Sequence, residues 1–147
     1  MMLPQRPYFP VGSLAAALSY PSLPGAFDNG RLAQVLTAVG LPGFASRLEE
    51  HAHWNRMLSL GEQERLALAR ALLVEPDFLF LDEATASLDE ASEAALYRFL
   101  EEHLAGSTIV SIGHRSTLQA FHRRRIVFEP DGPRHRVRER GPAFAAE

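Results

Sequence analysis

Two adjacent acids, Asp82 and Glu83, follow a short apolar run and have the side chains needed for metal binding and proton transfer. The run, residues 78–81, has no polar alternation and is typical of a parallel strand that is covered on both faces. Ligands of open α/β sheets bind beyond the carboxyl ends of the strands, where these acids are expected to project. In one interpretation Asp82 holds a magnesium ion and Glu83 orients or deprotonates a water molecule. In the other, the two acids only begin a loop.

A second candidate site lies at the start of the helix that precedes this run. Ser59 and Glu62 have the S-x-x-E spacing of a capping box, and Pro76 ends the helical pattern. Gly61 lies in the first turn, where glycine weakens a helix unless a backbone must come close to another group. The free amides and the dipole of such a helix start favour an anion. The alternative is an ordinary amphipathic helix, on which Arg70 is expected to face solvent or a partner.

Helices and strands that would position these sites are predicted from periodicity, caps and turn residues. The predicted helical segments are residues 14–20, residues 31–39 with Asn29 as the cap, and residues 44–50, 90–104 and 116–121. The predicted strands are residues 78–81, 108–112, 126–128 and an exposed returning strand through residues 134–140. The apolar face of the helix over residues 90–104 is assigned to Ala91, Ala94, Ala95, Leu96, Phe99 and Leu100.

The composition is that of one ordinary domain of 147 residues, of which 46% are hydrophobic. The formal net charge of −3 does not favour nucleic acid as a partner, and the absence of cysteine excludes disulfides and thiolate metal sites. No apolar run approaches the length of about 18 residues that crosses a bilayer. The chain is therefore predicted to be soluble and cytoplasmic.

Four segments in a fixed order resemble the C-terminal part of an ATP-binding cassette (ABC) ATPase. Residues 58–63 (LSLGEQ) resemble the signature motif, LSGGQ, and residues 78–82 resemble the Walker B strand. Glu83 is at the position of the catalytic glutamate, and residues 86–89 (ASLD) resemble the D-loop. The order and spacing of all four segments make this resemblance highly specific.

The signature segment departs from the usual motif in two places. Leu60 replaces the first glycine, and Glu62 is inserted before Gln63. These variants, with Trp54 shortly before them, resemble an exporter-like branch of the family. That branch contains peroxisomal fatty-acyl half-transporters and bacterial relatives linked to peptide or cobalamin uptake.

Two further positions take their roles from this resemblance. Residues 2–14 are similar to the Q-loop region, in which Gln5 would sense magnesium and the attacking water. Tyr8 and Phe9 would lie near the surface that faces the membrane-spanning partner. His114, after a predicted strand, is at the position of the switch histidine, which contacts the γ phosphate and helps to hold the water and the glutamate in register.

The resemblance implies an α/β fold that is a partial P-loop NTPase, with a mostly parallel sheet, flanking helices and a helical subdomain. One partial nucleotide-binding domain would cover residues 1–147. Its parts would be the Q-loop region (1–12), the helical subdomain with the signature helix (13–75), the segment with Walker B, D-loop, H-loop and C-terminal strands (76–140), and a tail (141–147).

The implied ligands are ATP and Mg²⁺, and the implied partners are a second nucleotide-binding domain and the transmembrane domains of a transporter. The parent protein would act at the cytoplasmic face of the membrane. The residues assigned to nucleotide binding are Gln5, Ser59, Leu60, Gly61, Glu62, Gln63 and Asp89. Asp82 and Gln5 are assigned to the metal, and Glu83 and His114 to catalysis.

The chain has no lysine, because all 15 of its basic residues are arginine. A P-loop, G-x-x-x-x-G-K-[ST], needs its lysine to reach the β and γ phosphates. We therefore expect the chain to be part of a longer protein, and alone to bind nucleotide weakly and hydrolyse it negligibly. Two alternatives remain open: a non-transport ABC ATPase that acts on DNA or ribosomes, and a truncated module that binds or regulates a partner without catalysis.

Overall fold

The computed structural model describes residues 1–85 and 88–141 and divides the chain into two units, Met1–Ile112 and Gly113–Glu147. The α-helices are α1 (Leu14–Ser19), α2 (Asn29–Ala38), α3 (Trp54–Met57), α4 (Leu60–Val74) and α5 (Glu90–His103). The strands are β1 (Met2–Pro4), β2 (Gly12–Ser13), β3 (His51–Ala52), β4 (Phe78–Asp82), β5 (Thr108–Ile112), β6 (Arg125–Asp131) and β7 (Arg134–Arg140). Short 3₁₀ helices occupy Pro42–Arg47 and Ser116–Phe121.

A parallel sheet with the strand order β1-β4-β5 carries the two acids. In its last row, Pro4 of β1 pairs with Asp82 of β4, and Asp82 pairs with Ile112 of β5. The three strands therefore end together at one edge of the sheet.

The two faces of this sheet differ in burial. Leu3, Leu79 and Leu81 are buried, whereas Phe78 is 55% and Phe80 39% exposed. The prediction that both faces of β4 are covered is therefore wrong for the described part of the chain. Helices cover one face only, and alternate side chains of the strands remain in contact with solvent on the other.

Helix α4 begins with the predicted capping box. The Ser59 hydroxyl accepts a hydrogen bond from the Glu62 amide, and the Glu62 carboxylate accepts one from the Ser59 amide at 2.8 Å. The helix ends at Val74 and is capped by Glu75, whose left-handed backbone (φ 46°) stops the hydrogen-bonding ladder before Pro76. Its central part is buried, from Leu66 to Leu73, and this includes Arg70.

The helices before α4 occur in the predicted order, but the cap of α2 is one residue earlier than predicted. Asp28, and not Asn29, caps α2, since its carboxylate accepts a hydrogen bond from the Arg31 amide at 3.0 Å. Both residue types are good caps, so the composition of this turn does not decide between them. The indole N–H of Trp54 donates to the Gly12 carbonyl at 2.9 Å, which ties α3 to the β2 strand that pairs with β3.

The predicted apolar face of α5 is partly wrong. Ala91 and Ala95 are exposed, while the buried residues of this helix are Glu93, Tyr97 and Leu100. The buried Glu93 carboxylate accepts a hydrogen bond from the Thr85 hydroxyl, which explains why an acid lies on the buried face. No helix in the described ranges is long and apolar enough to cross a membrane.

In the second unit, β6 and β7 form an antiparallel hairpin. Gly132 adopts a left-handed conformation (φ 61°) at the turn, as the predicted Asp131-Gly132 signal requires. Arginines of β7 form ion pairs with acids of β6, such as Arg138 with Glu129 at 3.0 Å. These exposed pairs contribute little to stability but keep the paired face polar.

Candidate functional site

The carboxyl edge of the sheet brings the Q-loop and Walker B positions into one row. Because Pro4 and Asp82 are register partners, Gln5 and Glu83 are the next residues of two neighbouring parallel strands. Gln5 is exposed, and Asp82 and Glu83 are half-buried. This edge offers an amide oxygen and two carboxylates to a ligand above the sheet.

Glu83 has an unusual backbone. Its φ of 49° lies in the left-handed region, which is uncommon for a residue with a side chain. Its amide donates a hydrogen bond to the Ile112 carbonyl at 2.9 Å, so the chain turns sharply while still bound to β5. Such conformations cost free energy and concentrate at functional sites, where surrounding contacts maintain them.

The signature segment is held by its own side chains. The Ser59 hydroxyl also donates to the Glu62 carboxylate at 2.7 Å, and this hydrogen bond is the main reason that the pKa of Glu62 lies below its ordinary value. The Gln63 amide group donates to the carbonyls of Asn55 (3.2 Å) and Leu58 (3.0 Å). Glu62 and Gln63 therefore order the start of α4.

Leu60 and Gly61 present a more open part of this segment. Leu60 is 49% exposed. A Cβ at Gly61 would lie 3.6 Å from Nη1 of Arg65, an ordinary contact, so no neighbour within the described chain requires a glycine there. The close approach of another molecule to Gly61 stays a prediction.

A mainly apolar cavity of about 470 Å³ is lined by residues from both candidate sites or next to them. Its lining includes Pro4, Ala84 and Leu88 from the strand ends and the D-loop, together with Gly61 and Arg65 from α4. All of these residues except Arg65 lie in or next to a segment assigned from sequence. The structure thus brings the neighbours of Gln5 and Glu83 to the same cavity as the signature glycine.

The D-loop position is described in part, because Ala86 and Ser87 lie outside the described residues. Asp89 caps α5, and its carboxylate accepts a hydrogen bond from the Ser92 amide at 2.7 Å. This contact gives Asp89 a structural task, and a role in nucleotide binding stays a prediction.

A buried polar network next to these residues was not predicted. The Thr85 hydroxyl donates to the fully buried Glu93 carboxylate at 2.7 Å. The Tyr97 and Ser111 hydroxyls lie 2.6 Å apart, and burial raises the pKa of Tyr97. The network joins the loop after Glu83 to β5 through α5. An acid in the first turn of a helix is usually exposed, so the sequence offered no clear signal for it.

His114 belongs to the second unit, where it follows β5 after Gly113 and is exposed. Its proposed contact with the γ phosphate remains a prediction.

Arg70, which was expected to face solvent or a partner, lies inside the fold. It is buried, with 5% of its surface exposed, and does not face solvent. Its guanidinium donates to the carbonyls of Tyr8 and Ala17, because these carbonyls lie beside α4 and provide acceptors inside the fold. Helical periodicity does not reveal acceptors that come from distant parts of the chain.

Known proteins resemble this chain over most of its length. The family profile described as ABC transporter matches residues 10–86. An uncharacterized ABC transporter ATP-binding protein of Haemophilus influenzae is 43% identical over 132 residues, which cover 90% of this chain and 22% of that protein. The Lysosomal cobalamin transporter ABCD4 of Homo sapiens is 36% identical over 83% of this chain and 22% of that protein.

Among solved structures, a bacterial Atm1-family ABC exporter with ATP bound matches 84% of this chain with a TM-score of 0.68. The sequence identity is 22%, so this likeness concerns the fold. The chain spans 22% of the length of each of these proteins.

Proposed function

Because this chain belongs to the ABC transporter family, we propose that it is the C-terminal portion of a nucleotide-binding domain that hydrolyses ATP to drive transport. The fold is that of an ABC ATPase, and the relatives are ABC transporter ATP-binding proteins. Since the chain spans about a fifth of these relatives, activity belongs to the longer protein. The cassette would be completed by a segment that carries the P-loop.

The observation that carries this proposal is the common edge formed by Pro4, Asp82 and Ile112. This row places Gln5 and Glu83 at neighbouring strand ends, where α/β proteins bind their ligands. The strained backbone of Glu83 supports an active role, since such strain concentrates at functional sites.

The residues at this edge fit a magnesium ion that is shared with a nucleotide. Within residues 1–85 and 88–141, no group of three or more His, Cys, Asp and Glu side chains could hold a metal alone. Magnesium is commonly bound by one or two carboxylates together with substrate phosphates and water. Asp82 and Gln5 provide such oxygen donors, and the bound ion would neutralise charge on the phosphates.

In this proposal Glu83 orients the attacking water or accepts its proton. The water oxygen bonds to the γ phosphorus as the bond between that phosphorus and the β-phosphate oxygen breaks. Gln5 positions the same water from the neighbouring strand end. His114 contacts the γ phosphate. The products are ADP and inorganic phosphate.

The Ser59–Gln63 segment and Asp89 would act across an interface with a second nucleotide-binding domain. The amides at the start of α4 suit the γ phosphate that the other domain holds, and the Ser59 hydroxyl would exchange its hydrogen bond to Glu62 for one to that phosphate. The exposed Tyr8 and the segment around it would contact transmembrane domains, and the protein would then act at the cytoplasmic face of a membrane. Nucleic acid is not among the proposed partners.

The test compares ATP turnover by the complete transporter, reconstituted in lipid nanodiscs, with turnover by the 147-residue chain. We expect magnesium-dependent phosphate release from the transporter and negligible release from the chain. The variant Asp82→Asn should lower turnover by the transporter and raise the magnesium concentration that it requires, whereas Asp77→Asn, on an exposed residue before β4, should not. Rapid turnover by the chain alone, or turnover that is insensitive to Asp82→Asn, would reject the proposed assignment.

A further inference from the structure

Arg70 carries a positive charge into the interior of the first unit. It is 5% exposed, and burial lowers its pKa to about 10. Among the residues that the structure describes, no carboxylate forms an ion pair with it. Burying a charge without an anion is costly, so its remaining contacts must provide the compensation.

Those contacts come from one segment of the chain. Nη1 donates to the Tyr8 carbonyl at 2.8 Å, and Nε donates to the Ala17 carbonyl at 3.0 Å, with Nη2 on the same oxygen. The guanidinium carbon lies 4.4 Å from the centre of the Phe9 ring and 5.3 Å from that of Tyr20. Two carbonyls and two rings thus surround the cation.

The contacted residues begin at Tyr8, on the surface proposed to face the transmembrane domains, which is the coupling surface of this proposal. Tyr8 is 59% exposed, and its ring packs edge-on against Tyr20 with 5.4 Å between the ring centres. Phe9 is buried beside Arg70. A partner that displaced Tyr8 would therefore move a carbonyl that is bonded directly to α4.

Helix α4 connects this contact with the signature segment. Arg70 lies nine positions after Gly61 in a continuous helix, or about 14 Å further along its axis. The capping box between Ser59 and Glu62 orders the first turn, from which α4 continues without a break to Arg70. Displacement of the helix at Arg70 would reach Ser59 and Gly61 without any further contact.

We propose that Arg70 is a positioning residue that couples the segment 8–20 to the signature segment 59–63 through α4. This inference rests on the proposed function, because it assigns the route by which nucleotide binding at residues 59–63 reaches the coupling surface. Lysine would not replace arginine here. Its ammonium group has no planar fork for two separate carbonyls and stacks poorly between two rings.

The test uses hydrogen exchange by mass spectrometry on the complete transporter in nanodiscs. Without nucleotide, Arg70→Lys should raise the exchange rate of residues 8–20 about tenfold, since hydrogen bonds to a charged donor are lost. Exchange in α2 should not change. The control is Arg98→Lys, on an exposed residue of α5, which should leave both regions as in the wild type.

A second arm adds MgATP in a Glu83→Gln background, so that nucleotide stays bound. We expect protection of residues 59–63 and a change in exchange at residues 8–20 in the background protein. Adding Arg70→Lys should preserve the protection of residues 59–63 and abolish the MgATP-induced change at residues 8–20. If MgATP changes exchange at residues 8–20 equally with lysine at position 70, the coupling is overturned. Faster exchange throughout residues 1–112, including α2, would show that Arg70 has a merely structural role and would also overturn it.

The two arms separate the coupling from the proposed function. If MgATP does not protect residues 59–63 in the background protein, nucleotide binding by the signature segment is wrong. The nucleotide-free arm still decides whether Arg70 holds residues 8–20 on α4. Unchanged exchange of residues 8–20 in that arm would overturn the inference directly.

Discussion

The backbone amide of Glu83 donates a hydrogen bond to the carbonyl oxygen of Ile112 at 2.9 Å. This bond continues the pairing of β4 with β5 by one residue, although the φ of Glu83 has already turned to 49°. The chain therefore leaves the strand direction at Glu83, while the Glu83 amide remains hydrogen-bonded to the edge of the sheet. A residue in this position is well placed to act on a ligand bound above the strands.

Glu83→Gln should lower ATP turnover by the complete transporter by about 100-fold or more, because the amide cannot accept the proton of the attacking water. Nucleotide binding should persist. Phosphate release measures turnover, and binding of radiolabelled ATP measures nucleotide affinity. Glu90→Gln, on an exposed residue in the first turn of α5, is the matched control. Retained turnover in Glu83→Gln would show that another group is the base.

Thr85→Val should destabilise the first unit by about 1–3 kcal/mol, because it removes a hydrogen-bond donor from the buried Glu93 carboxylate. The measurement is urea unfolding followed by circular dichroism. Thr37→Val replaces an exposed threonine of α2 and should change the free energy of unfolding by less than about 0.5 kcal/mol. Equal effects of the two substitutions would deny the network a role in stability.

Glu62→Gln should remove part of the acid sensitivity of the fold. The folded-state pKa of Glu62 is lowered, so its contribution to stability is present above the ordinary pKa of about 4.3 and is lost as the pH falls through the folded-state pKa. Glutamine keeps the cap geometry but does not titrate. The variant should therefore be less stable near neutral pH and lose less stability on acidification.

Unfolding free energies measured from neutral pH down to about pH 3 test this pH dependence. Glu101→Gln, on an exposed residue of α5, should follow the wild-type curve. A Glu62→Gln curve parallel to that of the wild type would contradict the role of the carboxylate.

The double variant Phe78→Thr, Phe80→Thr should reduce self-association of the 147-residue chain. The two rings belong to the solvent-exposed sheet face, and exposed apolar patches promote association. Threonine preserves the β propensity of β4. Sedimentation equilibrium should show a mass that depends less on concentration than that of the wild type. Val11→Thr, at a 68% exposed position outside the sheet, should behave as the wild type does.

The family and the fold could be predicted from sequence because their signals are local. The capping box of Ser59 and Glu62, the apolar strand before Asp82 and the spacing between them lie within one short segment. The ABC transporter family and the parallel sheet with flanking helices are confirmed. The roles of the individual site residues stay predictions.

What could not be predicted depends on contacts between distant parts of the chain. The acceptors of Arg70 lie 62 and 53 residues away, at Tyr8 and Ala17, and helical periodicity contains no information about them. The prediction that both faces of β4 are covered was wrong for the same reason. An apolar run reports the character of its side chains but does not show which layer covers them.

Trp54 gives the chain an internal optical reporter. It is the only tryptophan in the 147 residues, it is fully buried, and its indole N–H is bonded to the Gly12 carbonyl. Its emission should therefore be blue-shifted in the folded chain and move to longer wavelength when the β2–β3 junction opens. This single tryptophan thus monitors, without any label, the point where the segment after Phe9 meets the helices before the signature.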